Sequence, residues 1–349
     1  MAYTTIDKPT DYFNTVLYTG NGNNSRAVTG TGFQADWVWL KDRGSKGDTN
    51  YHHQTFDSVR GASAGALYTS LTNAEDSNYP ISSFDSDGIT LRSTSHDSQN
   101  ASSETYVLWS WLAGGTASSN TDGSITSSVS ANTTAGFSIV TYTGTGSNAT
   151  VGHGLGVAPS FIIVRQRDSS NDWNVFHHKN TSAPETDFLA LNEADATLDA
   201  SNRWNDTMPN ATNVFLGDSN RVNNNSNSYV MYAFAEKKGY SKFGTYVGNA
   251  NTDGPFVYTG FKPAWIMVKA TDATKSWYMW DNKRAGGSNL NDDQLLANTE
   301  DAEFDGSNID MLSNGFKFRS SGSGEQGSGT NYIYMAFAES PFVSSSGIP

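Results

Sequence analysis

Several residue clusters in this sequence have the types and spacing that chemistry needs. GASAG at 61–65 spells G-x-S-x-G. In a nucleophile elbow that spelling sets a serine, here Ser63, on a sharp turn between a strand and a helix. ALYTSL follows instead and reads as strand, so the stretch is expected to be a loop. Gly322, Gly324 and Gly327 spell G-x-G-x-x-G, but a dinucleotide fingerprint must open a helix. Here it joins FKFR to YIYMAFAE and reads as a hairpin loop. His52-His53 and His177-His178 are adjacent pairs, and neighbours on a strand point to opposite faces, which does not suit one metal ion. DSDG at 85–88 begins like a calcium loop without its remaining ligands, and reads as a turn.

Two further groups bear on carbohydrate. Glu193/Asp195 and Glu300/Asp301 are carboxylate pairs of the kind that flank a scissile glycosidic bond. They lie in equivalent acidic stretches of an internal repeat, whereas an enzyme needs one asymmetric site. Trp173, Trp204 and Trp277 stand near Asn and Asp, the composition with which proteins stack on sugar rings. These three are the candidate ligand-binding residues, set against the alternative that they pack a core or an interface between modules. No catalytic residue, metal ligand or cofactor is assigned.

The elements that position these residues come in triplicate. LYTG (Tyr18), TYTG (Tyr142) and TYVG (Tyr246) each precede an apolar run, WVWLK, FIIVR or WIMVK, which starts 19 residues after the tyrosine every time. A closing phrase also recurs, as YVLWSWLA from Tyr106, YVMYAFAE from Tyr229 and YIYMAFAE from Tyr332. The two tyrosines of a copy lie 88, 87 and 86 residues apart. The runs are short, β-branched and aromatic, and Gly, Asn, Asp and Ser clusters separate them, the pattern of an all-β sandwich or barrel. The long run is apolar on both faces and should be covered on both. Lys41, Arg165 and Lys269 end the runs and are expected at the sheet margin. Ser110, Ala233 and Ala336 leave room for a neighbouring layer. The fold class is therefore all-β, three tandem β-sandwich repeats of jelly-roll or concanavalin-like type. Their expected bounds are 1–113, 136–239 and 240–349, with a Gly/Ser/Thr/Asn-rich linker at 114–135.

Composition limits the function. The net charge is −13 with scattered Lys and Arg, so no basic face is present for nucleic acid or an anionic membrane. There is no cysteine, hence no disulfide or thiolate metal site. The start, MAYTTIDKPTDYF, does not read as a signal peptide, and no apolar stretch is long enough to span a bilayer.

The opening MAYTTIDKPTDYFNTVLYTGNG, VGHGLGVAPSFIIV (151–164) and FGTYVGNANTDGPFVYTGFKPAWIMVKA (243–270) resemble an uncharacterised repeat-domain family of marine bacteriophage virion and tail-fibre-like proteins. The resemblance covers residues 11–339. It implies a non-enzymatic virion structural protein, a fibre, spike or decoration protein assembled in the host cytoplasm. Its implied partners are other virion proteins and a host surface glycan. Fibre-like relatives imply a homotrimer, attached through the segment before Asp11. The alternatives are a monomer whose modules mimic a trimer, and, for function, a carbohydrate-binding or glycan-depolymerising protein.

Overall fold

The structure, a computed structural model, describes residues 3–44, 51–92, 97–286 and 289–343. It is all-β, made of antiparallel sheets joined by turns and a few single-turn helices. One strand order occurs in three successive segments. In the first, the opening strand Phe13–Thr19 pairs with the closing strand Thr105–Trp111. The closing strand then pairs with the long strand Trp37–Asp42, which is followed by Gln54–Asp57 and Leu67–Tyr68. The second runs Phe137–Thr143, Ser228–Phe234, Phe161–Gln166, Asn174–His177 and Asp187–Ala190. The third runs Ser241–Val247, Asn331–Pro341, Phe261–Ala270, Tyr278–Asp281 and Leu290–Leu296.

The register explains the spacing of the repeated phrases. Tyr18 faces Tyr106, Tyr142 faces Tyr229 and Tyr246 faces Tyr332 across the opening and closing strands. Trp37 faces Trp111, Phe161 faces Phe234 and Trp265 faces Phe337. Because strand side chains alternate, each main sheet has two apolar faces. One face covers a core of the segment's own. In the first segment Val38, Leu40, Tyr106 and Leu108 meet Ile89 and Leu91 of the strand Gly88–Leu91. The other face, carrying Trp37, Trp39, Trp109 and Trp111, joins a core shared by all three segments. Phe137, Ile163, Tyr232 and Phe234 enter it from the second, and Phe243, Trp265, Met335 and Phe337 from the third. Trp37 stacks on Tyr232 at 4.6 Å, and Phe13 stacks on Phe337 at 5.3 Å.

Three seams radiate from this core and use equivalent positions. Between the first and second segments, Tyr232 donates its hydroxyl to Asp57 Oδ2 (2.7 Å). Behind it runs a chain of charges: Asp57 to Arg60 (2.5 Å), Arg60 to Glu75 (3.0 Å) and Glu75 to Arg167 (2.9 Å). Between the third and first, Trp109 Nε1 donates to Asp281 Oδ2 (2.9 Å). The chain continues through Arg284 (2.5 Å), Glu303 (2.8 Å) and Arg43 (2.5 Å). Between the second and third the same positions are uncharged. His177 Nε2 lies 3.3 Å from the Tyr334 carbonyl, and Thr197 Oγ1 donates to Asn180 Oδ1 (2.8 Å).

Three expectations are corrected. Residues 114–135 are not a linker: Ser118–Asn120 and Ser127–Asn132 extend the second segment's sheet, and Ile125 and Val129 enter its core. Small polar residues hid that short alternation. Lys41, Arg165 and Lys269 are not marginal but fully buried at the seams. Arg165 donates to the Thr72 carbonyl (2.7 Å) and Lys269 to that of Ala194 (3.2 Å), each across a seam. The layer for which Ser110, Ala233 and Ala336 leave room is the segment's own second layer, since Ala233 and Ala336 belong to the cores within the second and third segments. The glycines at 322–327 hold a one-turn helix, Ser323–Gln326, in a crossover between layers, not a hairpin. Apart from these corrections, the described residues before Asp11 lie against the third segment: Ile6 is in the shared core and Thr4 Oγ1 donates to the Lys238 carbonyl (2.7 Å).

Removing one member of a buried charge chain should cost far more than removing its neutral counterpart. Arg60→Met leaves Asp57 buried without its cation and is expected to cost about 3–5 kcal/mol, against about 1 kcal/mol for Thr197→Val, measured by urea unfolding. Equal losses would show that the charge chain does not hold its seam.

Candidate functional site

The repeated tyrosines do structural work at one end of each segment, and that end carries the candidate surface. Each pair is stacked, Tyr18 on Tyr106 at 4.9 Å, Tyr142 on Tyr229 at 5.1 Å and Tyr246 on Tyr332 at 4.9 Å. The opening tyrosine donates its hydroxyl to a carbonyl of a single-turn helix: Gln99 (2.6 Å), Val222 (2.6 Å) or Glu325 (2.5 Å). The closing tyrosine's hydroxyl accepts the N–H just beyond that turn, from Ala101 (2.8 Å), Asn224 (2.7 Å) or Gly327 (2.8 Å). Space there forces the glycine of the Tyr-x-Gly phrase. A Cβ on Gly20 would meet the Ala101 carbonyl oxygen at 1.8 Å, and one on Gly144 the Asn224 oxygen at 2.2 Å.

A buried amide at the end of each turn then shapes the loop after the opening strand. Asn100 Oδ1 accepts the Asn21 N–H (3.1 Å), and Asn223 Oδ1 that of Thr145 (2.7 Å). Gln326 Nε2 donates to the Asn251 carbonyl (3.0 Å). The loops so held expose amides and hydroxyls: Asn21 and Asn23 in the first, Ser147 and Asn148 in the second, Asn249 and Asn251 in the third. Such groups match the donors and acceptors of a sugar.

The three candidate tryptophans are elsewhere. Trp173, Trp204 and Trp277 are 0%, 1% and 1% exposed, so none offers a ring face to a ligand, and the stacking expectation is corrected. Trp173 and Trp277 cross seams, with Nε1 donating to the Tyr68 carbonyl (2.7 Å) and the Ala190 carbonyl (2.9 Å). Trp204 Nε1 donates to the Asp187 carbonyl (3.0 Å) within the second core. Buried indoles need such a partner, and Asn or Asp nearby in sequence does not separate this use from sugar stacking.

The other clusters are also accounted for. Ser63 is exposed in a turn that leads to the strand Leu67–Tyr68, without the helix of an elbow. Asp85 accepts the hydroxyls of Ser83 and Thr90 (2.7 Å each), and Asp87 accepts the Gly32 N–H (2.7 Å). His53 accepts the Trp39 indole N–H (2.8 Å), and burial holds His53 far below its usual pKa. His177 is pulled down to about 3 by burial. Among the described residues, no group of three His, Asp or Glu is placed to hold a metal ion. Glu193 accepts from Asn192 (3.0 Å), and Asp195 lies near Lys269 across a seam. The nearest approach to a catalytic set is His52, whose Nδ1 is 2.9 Å from Ser70 Oγ and 3.7 Å from Glu300 Oε2. Both partners sit on one ring nitrogen, whereas a proton relay needs them on opposite nitrogens. Sequence reasoning found the tyrosine phrases but missed their role. The signal available was the Tyr-x-Gly triplet at fixed distance from a second tyrosine.

The clamps and the seam lysines set opposite pH dependences. Burial raises Tyr18, Tyr142 and Tyr246 well above the ordinary 10.0, so they stay neutral when folded. Their contribution is complete below pH 10 and is lost as pH rises beyond it. Burial lowers Lys41 to about 8 and Lys269 to about 7 from 10.5. The folded state therefore carries buried charge at neutral pH, and stability rises from about pH 7 toward 10.5. Melting temperature should peak near pH 10. Lys269→Met should flatten the rise, and Tyr246→Phe should lower stability by about 1 kcal/mol while softening the alkaline fall. A melting temperature independent of pH between 7 and 10 would rule the lysine account out.

Comparison with known proteins adds one relationship. No curated protein matches the chain. The family described as "Domain of unknown function (DUF7483)" matches residues 8–341, and the chain belongs to that family.

Proposed function

We propose that this chain is a non-enzymatic structural protein of a bacteriophage virion, a fibre, spike or decoration protein. In this reading it is built of three tandem β-sandwich repeats of jelly-roll or concanavalin-like type, and it engages a host surface glycan through its amide-bearing loops. One observation carries the reading. The side chains that the repeats hold in common are spent on construction: stacked tyrosines on loops, indoles and charge chains on seams. The exposed loop residues differ from copy to copy. A scaffold that presents varied polar loops is the economy of an attachment or decoration protein. The resemblance to virion and tail-fibre-like proteins supports it. So does the recurrence of the strand order, which argues against one asymmetric catalytic centre.

The same packing bears on the oligomeric state. The apolar inner faces that three chains would pool in a homotrimer are pooled here by three segments of one chain. We therefore favour the single-chain arrangement over the trimer that fibre-like relatives imply. Light scattering is expected to give a mass near 37.7 kDa at micromolar concentration, and three times that would restore the trimer.

Incubation with bacterial surface polysaccharides is expected to show binding without release of oligosaccharide. Release abolished by a single carboxylate substitution would replace this reading with the depolymerase. Electron microscopy of intact particles should place the protein on the virion, and its absence from them would sink the structural role.

A further inference from the structure

The seam between the second and third segments keeps the main-chain geometry of the other two but not their side chains. Arg60 stands three residues after Asp57 and Arg284 three after Asp281, and Asn180 takes that place after His177. Glu75 N–H donates to the Arg167 carbonyl (2.7 Å), Glu303 N–H to that of Arg43 (2.8 Å) and Thr197 N–H to that of Thr271 (2.8 Å). The Arg–Glu–Arg chain of two seams is thus Asn180, Thr197 and Thr271 at this one, three shorter and uncharged residues.

A cleft of about 400 Å³ opens here, walled by both segments. Asn180, Thr271 and Tyr332 form its buried side, at 5%, 8% and 0% exposed. Lys179, Ser182, Thr245 and Asp272 belong to its exposed rim. Asn180 Oδ1 accepts the Thr197 hydroxyl (2.8 Å), while Asn180 Nδ2 has no partner among the described residues. Asp272 Oδ2 accepts the N–H and the side-chain amide of Asn331 (3.1 and 2.6 Å), and a carboxylate has lone pairs for further donors. Lys179 Nζ makes no hydrogen bond or ion pair among the described residues. The hollow beside the equivalent strands of the second segment differs: Arg167 and Ser119, Ser127 and Ser128 line it, and no residue of the first segment does.

We propose that the cleft between the second and third segments binds a neutral sugar residue of a glycan. Such a site rests on the glycan reading above, and it seats one sugar where the charge chain of the other seams is missing. Its volume lies in the range of ligand pockets, roughly 300–1,000 Å³. The lining selects the class. The rim carries one cation and one anion and the buried side carries no charge, so a charged occupant would be attracted by one rim group and opposed by the other. The net charge of −13 further disfavours an anion. An apolar occupant would cover these polar groups without pairing them. Sugar hydroxyls both donate and accept, so one can accept from Lys179 while another donates to Asp272. Thr245 lies on the strand Ser241–Val247, which leads into the loop of Asn249 and Asn251, so the rest of the glycan meets those amides.

The probes are the methyl glycosides of glucose, galactose, mannose and N-acetylglucosamine, with methyl glucuronide as the acidic comparison, added to the full chain and followed by saturation-transfer NMR. At least one neutral glycoside is expected to bind saturably at about 1 mM or below, and the glucuronide more weakly. Thr197→Glu together with Thr271→Arg rebuilds the Glu75–Arg167 pair of the first seam inside this one, and should weaken binding by about tenfold or more with the fold retained. Lys179→Ala, on an exposed side chain, removes a charged hydrogen bond and should weaken binding about tenfold. It carries the test if the double variant does not fold. Saturation by the glucuronide alone would overturn the neutral class. A glycoside or surface polysaccharide that binds these variants as tightly as the unaltered chain would remove this site and leave the proposed function standing. No binding of any glycoside or surface polysaccharide would remove both.

Discussion

Burial of the inner sheet faces governs this molecule. Each main sheet presents Trp, Phe, Tyr or Met on the side away from its own second layer, and no single segment can cover that side. Each such aromatic is worth roughly 1.5–3 kcal/mol when removed from water, a gain available only when the three sheets meet. The rings meet edge-on or tilted as well as stacked: Trp111 meets Trp265 at 89° and 5.7 Å, and Trp37 meets Trp111 at 34° and 4.5 Å. Edge contacts of that kind match the charge distribution of aromatic rings and favour one packing over a loosely filled interior. The strand order, the seams and the docking of the N-terminal residues all follow from bringing these faces together.

The seams show how the arrangement tolerates polar groups near such a core. A carboxylate buried beside apolar rings is costly unless it is paired and hydrogen-bonded. Asp57 and Asp281 each meet an arginine and an aromatic donor from the next segment. The second carboxylate, Glu75 or Glu303, links that arginine to another on the neighbouring segment. At the remaining seam the aromatic donor is absent, because Met335 stands where Trp109 and Tyr232 stand in the other copies. The acid is absent there too, replaced by His177. Donor and acid are thus lost together, so neither is left buried without its partner.

The copies diverge where they are not needed for this assembly. The tyrosine clamps are alike because each must close a turn over a main-chain approach that excludes a side chain. The loops they hold differ in sequence and face solvent. The sheet edges differ as well: one is covered by residues 118–132, one is blunted by Asn14 and Arg26, and one is open. Differences between copies of one module therefore mark surfaces, whereas their common residues mark construction.

Much of this was legible in the sequence. Side-chain alternation is local, so the strands around WVWLK, FIIVR and WIMVK, their two apolar faces and the constant spacing of the tyrosine phrases could be read directly. What covered the inner face could not. Periodicity shows that a face is buried and is silent on whether another chain or another segment buries it. Trp109 and Asp281 meet across 172 residues, and Trp173 reaches Tyr68 across 105. Nothing near either tryptophan in sequence announces those partners. The same limit misplaced Lys41, Arg165 and Lys269, because a base at a strand end reads as marginal until the neighbouring segment arrives to bury it. Residues 114–135 looked like a linker because serine and threonine disguise a strand whose stability comes from the sheet it joins. The sequence by itself determined the module, its faces and its three copies. The tertiary structure alone decided what each face meets, since that depends on side chains brought together from distant parts of the chain.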